Sequence, residues 1–317
     1  MATPCRIMLD VDTGIDDAMA IVFALNRETI SLEAISTVYG NIDVETTTRN
    51  TLQILEAAGR TDIPVAAGAA RALTTPYHGG VRHIHGANGI GDVDLPNPKT
   101  RPSALWGPDL IIKTIRDNPG EISLVPVGPM TNVAQALMKA PDIAESVKQI
   151  VLMGSTLAHP GVPGIPSPMA DANFYNDPEA ARIIFQSGAK VVAVGMDVTM
   201  KTKLTSAMID DIGNQGGPAS TIAMQAARFY LKAYQAQYPG IDFCALHDPL
   251  AVAVAEDPSI VELEPMRVDI ECRGEITRGQ MIPDRRRTGT VEPNALVATK
   301  VDSDRFERLF AETLKRK

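Results

Sequence analysis

The chain has 317 residues, 44% hydrophobic and 21% charged, with a net charge of −8. That length suits one large α/β domain or two small ones. The acidic balance, with Arg285-Arg286-Arg287 as the densest basic run, argues against a phosphate-tracking nucleic-acid binder.

Three cysteines (Cys5, Cys244, Cys272) lie far apart and form no CxxC, so neither a disulfide framework nor a zinc knuckle is expected. No apolar stretch has membrane-spanning length and no signal-peptide core follows Met1, so a cytoplasmic protein with no membrane partner is expected.

The first hydrophobic run, Ile7-Met8-Leu9 with Val11, reads as a short buried strand broken by Thr13-Gly14. Asp16 and Asp17 then open an apolar segment, Ala18 to Leu25, that reads as a helix. Asp10, Asp12, Asp16 and Asp17 thus place four carboxylates within eight residues of a strand-to-helix turn. Crowded carboxylates raise one another's pKa. A bound cation removes the repulsion, and Ca²⁺ takes about six to eight hard oxygens of the kind Asp supplies. The alternative is that Asp16 and Asp17 complement the helix N-terminus while Asp10 and Asp12 are solvated. That account serves one or two aspartates better than four.

A second strand is expected over Leu32–Tyr39, ending at Gly40-Asn41. Asp43 is a plausible N-cap for a helix through Ala58, and Ile63–Ala67 reads as a third strand. Alternating strands and helices predict a parallel sheet, whose ligands bind beyond the carboxyl ends of the strands. Arg71 to Arg101 shows no periodicity and carries His78, His83 and His85, which suggests a functional loop. A helix over Gly107–Asn118, a strand over Ile122–Val127, a helix to Met138 and a strand over Ile150–Met153 follow. Ser155 to Ala172 reads as a second long loop. Asn173–Glu179 leads into a helix ending near Gly188, and Val191–Gly195 reads as a strand. Thr205 to Tyr238 is mostly helical, with Tyr230 and Tyr234 one turn apart on one face. Leu246-His247-Asp248-Pro249 starts a helix through Ala255. Val261–Leu263, Met266–Ile270 and Ala295–Val301 look like antiparallel edge strands or a hairpin, and Asp304–Lys315 like a closing helix. No repeat or linker interrupts the chain, so a single domain over residues 1–317 is expected.

Two families carry an aspartate pair of this kind. Asp10-Val11-Asp12-Thr13-Gly14 is similar to the strand-DxDxT of haloacid-dehalogenase-type phosphatases, but Asp16-Asp17 is no part of that motif. The full DxDxGxDD from Asp10 to Asp17 resembles the signature of the inosine–uridine nucleoside hydrolases. The resemblance continues in order through Val38-Tyr39-Gly40-Asn41, His85-Gly86-x-x-Gly89, Val127-Gly128-Pro129-Met130-Thr131-Asn132, Val151-Leu152-Met153-Gly154, Asn173-x-x-x-Asp177-Pro178-Glu179 and His247-Asp248-Pro249.

The resemblance implies an open, mostly parallel, Rossmann-like sheet flanked by helices, with a small antiparallel C-terminal extension. It implies hydrolysis of the N-glycosidic bond of ribonucleosides with bound Ca²⁺. By position the ligands are Asp12, Asp17, the backbone carbonyl of Thr131 and Asp248, with a water and the ribose 2′- and 3′-hydroxyls completing the shell. Asp16, Asn41 and Asn173 then hydrogen-bond the ribose, and Met153 lines the sugar pocket. Asp12 is the base, His247 the acid for the leaving group, and His85, Tyr230 and Tyr234 contact the nucleobase. A homodimer or homotetramer is expected. Both His85 and His247 being present resembles the inosine–uridine or pyrimidine-preferring members more than the purine-specific ones, which tend to carry Trp near the base. The second loop departs from the family pattern: Ile165 stands where an Asn is expected and Asp171 where a Glu is. Both positions serve the sugar's 5′ end, so 5′-hydroxyl recognition is expected to differ.

Blander readings stand beside these. Asp248-Pro249 is an ordinary N-cap with Pro at the first helical position, Thr131 can cap a helix, Tyr230 and Tyr234 can be core residues, and His83-x-His85 can be half a zinc site. Two other activities compete: an N-ribosyl hydrolase for a 5′-altered ribose, and a Ca²⁺- and ribose-binding protein without turnover.

Overall fold

The computed structural model describes residues 3–157, 167–286 and 291–316. In chain order the elements are β1 (Cys5–Val11), α1 (Ile15–Asn26), β2 (Ile30–Thr37), α2 (Val44–Ala57), β3 (Val65–Ala67), α3 (Arg82–His85), α4 (Gly107–Asp117), β4 (Ser123–Pro126), α5 (Thr131–Lys139), α6 (Ile143–Ser146) and β5 (Gln149–Met153). Then come α7 (Ala172–Asn176), α8 (Pro178–Gln186), β6 (Val191–Val194), α9 (Met196–Thr199), β7 (Lys203–Thr205), α10 (Ser206–Gln215), α11 (Pro218–Gln237), β8 (Phe243–Ala245) and α12 (His247–Glu256). The chain closes with β9 (Val261–Met266), β10 (Val268–Ile270), β11 (Met281–Pro283), β12 (Ala295–Val301) and α13 (Ser303–Leu314).

Among the described residues the main sheet has eight strands in the order β3-β2-β1-β4-β5-β6-β12-β9. All neighbours pair in parallel except β9, which runs antiparallel to β12. The inner strands are apolar on both faces because helices cover both. Side chains alternate across the pleat, so each strand feeds two cores. Ile7, Leu9 and Val11 of β1 join one cluster with Val125, Val151 and Met153, while Met8 joins another with Leu124, Ile150 and Leu152. Helix α1 is buried along its length from Ile15 to Ala24, as a helix apolar all round must be, and it packs against α11, α12 and α13.

From β1 the chain builds outward in both directions, to β2 and β3 on one side and to β4, β5 and β6 on the other. The crevice between β1 and β4 is therefore a topological switch point, where open α/β sheets bind ligands. Asp12 stands one residue past β1, and Thr131 opens the helix that follows β4.

Several local expectations are corrected. Helix α1 starts at Ile15, so Asp16 and Asp17 lie inside its first turn. The Arg71–Arg101 stretch contains the single turn α3. Strand β12 is an inner strand, parallel to β6 on one side, and only β9 lies at the edge. Asp248 is not an N-cap: the capping position is Leu246 and His247 is already helical. An N-cap residue has non-helical backbone, so the Asp248 carboxylate is not committed to capping. Thr131 is likewise inside α5, with Met130 at the cap.

Candidate active site

At the carboxyl ends of the sheet a cavity is lined by Asp16, Asn41, His85, Met153, Asp171, Asn173, Tyr230, Tyr234, His247 and Asp248, all anticipated from the sequence. Asp12, Asp17 and Thr131 do not line it; they are buried, below its floor. Val81, Ile84, Met196 and Gln237 also line it and were not anticipated.

The floor is acidic. Asp16, Asp17 and Asp248 each bring a carboxylate oxygen within 4.8 Å of the others. Asp12 is outside that trio but couples to it. Burial, then the charge of Asp17, raises its pKa well above the ordinary carboxylate value. Burial and the charge of Asp16 raise Asp17 to about 7. Burial, then the charges of Asp16, Asp17 and Asp12, raise Asp248 well above its ordinary value. Hydrogen bonds orient two of these groups. Asp17 Oδ1 accepts from the Asp12 amide (3.0 Å), and Asp17 Oδ2 from the Gly14 amide (2.9 Å) and Asn41 Nδ2 (3.1 Å). Asp12 Oδ2 accepts from the Asn41 amide at 2.7 Å. Asp12 Oδ1 and Asp16 Oδ1 are buried with no hydrogen-bond partner among the described residues.

A buried anionic oxygen without a partner costs several kcal/mol. A hard cation satisfies such oxygens and cancels the mutual repulsion, so this donor set fits a metal ion bound by oxygen. Glycines hold the aspartate in place. A Cβ at Gly128 would stand 2.8 Å from Asp12 Oδ1, and one at Gly40 would press on Oδ2. That explains glycine at both positions.

Asp10 belongs to a separate buried hydrogen-bond group. Its Oδ1 accepts from Ser36 Oγ (2.6 Å) and Asn132 Nδ2 (2.7 Å), so it braces β1 against β2 and the start of α5. Burial raises it to about 7.

One wall of the cavity is amide and thioether. Asn173 donates through Nδ2 to the carbonyls of Val127 (2.7 Å) and Met153 (3.1 Å). Both amide hydrogens are thereby used, and its side chain offers the cavity an oxygen. Asp171 caps α7: its carboxylate accepts from the amides of Asn173 (2.9 Å) and Phe174 (3.2 Å) and from that of Ser155. Ile165 lies outside the described residues.

The opposite wall is aromatic. His85 is buried, which lowers its pKa to about 3, with His83 adding to the shift. Its Nδ1 accepts from the Ile15 amide at 3.1 Å, so the ring proton sits on Nε2. The His85 and Tyr230 rings are 5.5 Å apart, and the Tyr230 and Tyr234 rings 4.9 Å. Tyr230 Oη donates to Asp16 Oδ2 at 3.3 Å. His247 shares hydrogen bonds with Thr199 Oγ1 at Nδ1 (2.6 Å) and Tyr234 Oη at Nε2 (2.7 Å). Burial lowers its pKa, against the opposing pull of the Asp16 charge. The reading of the tyrosines as mere core residues is thus too bland: both are buried, yet both line the cavity and hydrogen-bond to its charged or titratable groups.

Sequence reading missed Thr199, which meets His247, and Asn132, which meets Asp10. Asn132 sat in a quoted motif, a polar residue just ahead of the apolar Val133-Ala134. Thr199 carried no local signal. No ligand atom among the described residues makes His83 and His85 half of a metal-ion group.

The open parallel sheet and the acidic, aromatic-walled crevice at its switch point define an α/β protein with a small-ligand site beyond its strand ends. The sequence profile of the inosine-uridine preferring nucleoside hydrolases matches residues 7–308. An inosine-uridine preferring nucleoside hydrolase of Leishmania major is 38% identical over 99% of this chain and 98% of its own. A pyrimidine-specific ribonucleoside hydrolase, RihA, of Salmonella gallinarum is 36% identical over 99% of both chains. The structure of a purine-preferring ribonucleoside hydrolase from Gardnerella vaginalis superposes with a TM-score of 0.92 at 36% identity, covering 98% of each chain. The chain belongs to the inosine-uridine preferring nucleoside hydrolase family. It is a hydrolase of ribonucleoside N-glycosidic bonds. No helix among the described residues is long and apolar enough to cross a membrane.

Proposed function

We propose that the protein is a calcium-dependent ribonucleoside N-ribohydrolase that releases free base from inosine and uridine, acting in the cytoplasm as a homodimer or homotetramer with the whole chain as one domain. One observation carries this reading: a single cavity joins a floor of buried carboxylates to a wall of imidazoles and phenols. The first suits a ribose that becomes cationic, the second a base that leaves.

Asp12, Asp17, Asp248 and the Thr131 carbonyl hold Ca²⁺ in this reading. Asp16 lines the open cavity with Asn41 and Asn173, and these three take the ribose hydroxyls. Met153 packs on the sugar, and Asp171 stands at its 5′ end. The cation, when bound, anchors the vicinal hydroxyls and makes water more acidic, though less than Zn²⁺ does, so a carboxylate base is still required. Asp12 is that base. Asn41 fixes its Oδ2, and the carboxylate accepts the proton of the attacking water. As the C1′–N bond breaks, the sugar gains oxocarbenium character, which the anionic floor stabilises. The bonding electrons pass to the nucleobase. His247, in its imidazolium form, supplies the compensating proton and returns to neutral imidazole, directly or through the Tyr234 hydroxyl on its Nε2, and His85 and Tyr230 hold the base.

The test is a panel of nucleosides assayed for released base. Inosine and uridine are expected to be cleaved. Release confined to 5′-altered ribosides would favour the alternative substrate class, which Asp171 supports because backbone amides already occupy both its oxygens. Binding of ribosides with no release would leave a binding protein.

The proton route makes its own prediction. His247→Ala and Tyr234→Phe are expected to slow inosine cleavage, His247→Ala by about 10²- to 10⁴-fold, the usual worth of general acid catalysis. Both should largely spare p-nitrophenyl riboside, whose leaving group needs no proton. Equal losses on both substrates would mean that His247 only positions the sugar.

A further inference from the structure

We propose that Asp177 is a positioning residue for the metal end of the site, holding the Thr131–Asn132 peptide whose carbonyl is assigned to calcium. This rests on the assignment of that carbonyl to calcium made above.

Asp177 does more than a helix cap requires. It precedes α8, and one oxygen is enough for capping: Oδ1 accepts from the Ala180 amide at 3.1 Å. The other oxygen gathers two donors from remote parts of the chain. Oδ2 accepts from Thr131 Oγ1 at 2.6 Å and from the Leu73 amide at 2.9 Å. Asp177 and Thr131 are both fully buried, and Asp177 does not line the cavity. Its carboxylate therefore acts on the site only through what it holds.

Among the described residues Thr131 Oγ1 has one further partner, Tyr39 Oη, at the longer distance of 3.5 Å. Helix α5 begins without a side-chain cap at Met130. The next residue, Asn132, is locked from the far side. Its Nδ2 donates to Asp10 Oδ1 (2.7 Å) and the Thr37 carbonyl (2.9 Å), and its Oδ1 accepts from the Ala69 amide (2.8 Å). The Thr131–Asn132 peptide is thus gripped between two buried carboxylates, Asp177 through the hydroxyl of Thr131 and Asp10 through the amide of Asn132. Tilt of a peptide moves its carbonyl oxygen most. Calcium needs its oxygens at about 2.3–2.6 Å, so a group that fixes the tilt tunes affinity without touching the ion.

The experiment is calorimetric titration of calcium into the metal-stripped full chain. Thr131→Val removes the hydroxyl but keeps the volume, the carbonyl and the Asp177–Ala180 cap. It is expected to weaken calcium binding by about 10- to 100-fold, the usual range for groups that orient a ligand. Thr131→Ser, which restores a donor, should bring the affinity back towards wild type. Thr131→Val and Asp177→Asn together should cost less than the sum of their separate effects on log Kd, because both break one contact. Unchanged calcium affinity in Thr131→Val, with only a lower metal-free Tm, would show Asp177 to be a structural cap and overturn the proposal. Should that variant fail to fold, unchanged affinity in Asp177→Asn overturns it equally. A wild-type chain that binds no calcium at all defeats the functional reading itself, which separates the two failures.

Discussion

Asp12→Asn is expected to lower kcat/KM by at least about 10³-fold for every substrate, within the 10²- to 10⁴-fold range of a lost general base and increased by the loss of an anionic wall. The substitution is nearly isosteric. It keeps an oxygen for the Asn41 amide and removes only the charge and the basicity. Unlike His247→Ala, it should damage inosine and p-nitrophenyl riboside alike, because water must be deprotonated whichever group leaves. Stability should move the other way. In the metal-free chain Asp12 is a buried carboxylate repelled by Asp17, so neutralising it removes an unfavourable term and the metal-free Tm should rise. That opposition between stability and activity is common at functional sites. A variant within about tenfold of wild type on all substrates would remove Asp12 from the chemistry.

Stripping calcium is expected to abolish turnover and to lower the Tm. The buried carboxylates repel one another without the ion, and a ligand bound only to the native state stabilises it by about 2.7 kcal/mol at a hundred times its Kd. For a chain of 317 residues, whose unfolding entropy is about 0.67 kcal/mol/K, that corresponds to a fall of about 4 °C. Added Ca²⁺ should restore both. Mg²⁺ should restore less, because it demands near-ideal octahedral geometry at about 2.0–2.1 Å and keeps several waters rather than filling its shell with protein oxygens. Full activity after exhaustive chelation, in a chain shown to contain no metal, would sink the site as drawn.

Much of this architecture was legible locally. The continuous apolar runs at Ile7–Val11 and Ile150–Met153 announced strands buried on both faces, and Asp43 announced the start of α2, which it caps by accepting from the Thr46 amide at 2.9 Å. Element ends were less legible, because they depend on where tertiary contacts take over from propensity. Helix α1 gains its first turn from Asp17, whose carboxylate accepts from the Gly14 amide. Strand β12 read as an edge because its polar residues, Thr299 and Lys300, resemble solvent-facing ones. It is an inner strand because β6 offers it a parallel partner that no local pattern reveals.

The chemical inventory was readable from the chain alone: a four-aspartate turn, the histidines and tyrosines, the parallel sheet, and the family that these motifs resemble. Those are properties of residue type and short spacing, which covalent connection alone preserves. The partners came only with folding. Tyr230 meets Asp16 across 214 residues, Asn132 meets Asp10 across 122, and Thr131 meets Asp177 across 46. It also decided that Asp248 is free of capping, while Asp171 is wholly engaged in it. A hydrogen bond depends on distances of a few tenths of an ångström, and burial on every chain segment that packs over the group. Both come into being only when the sheet brings its strand ends together at the crevice beside β1.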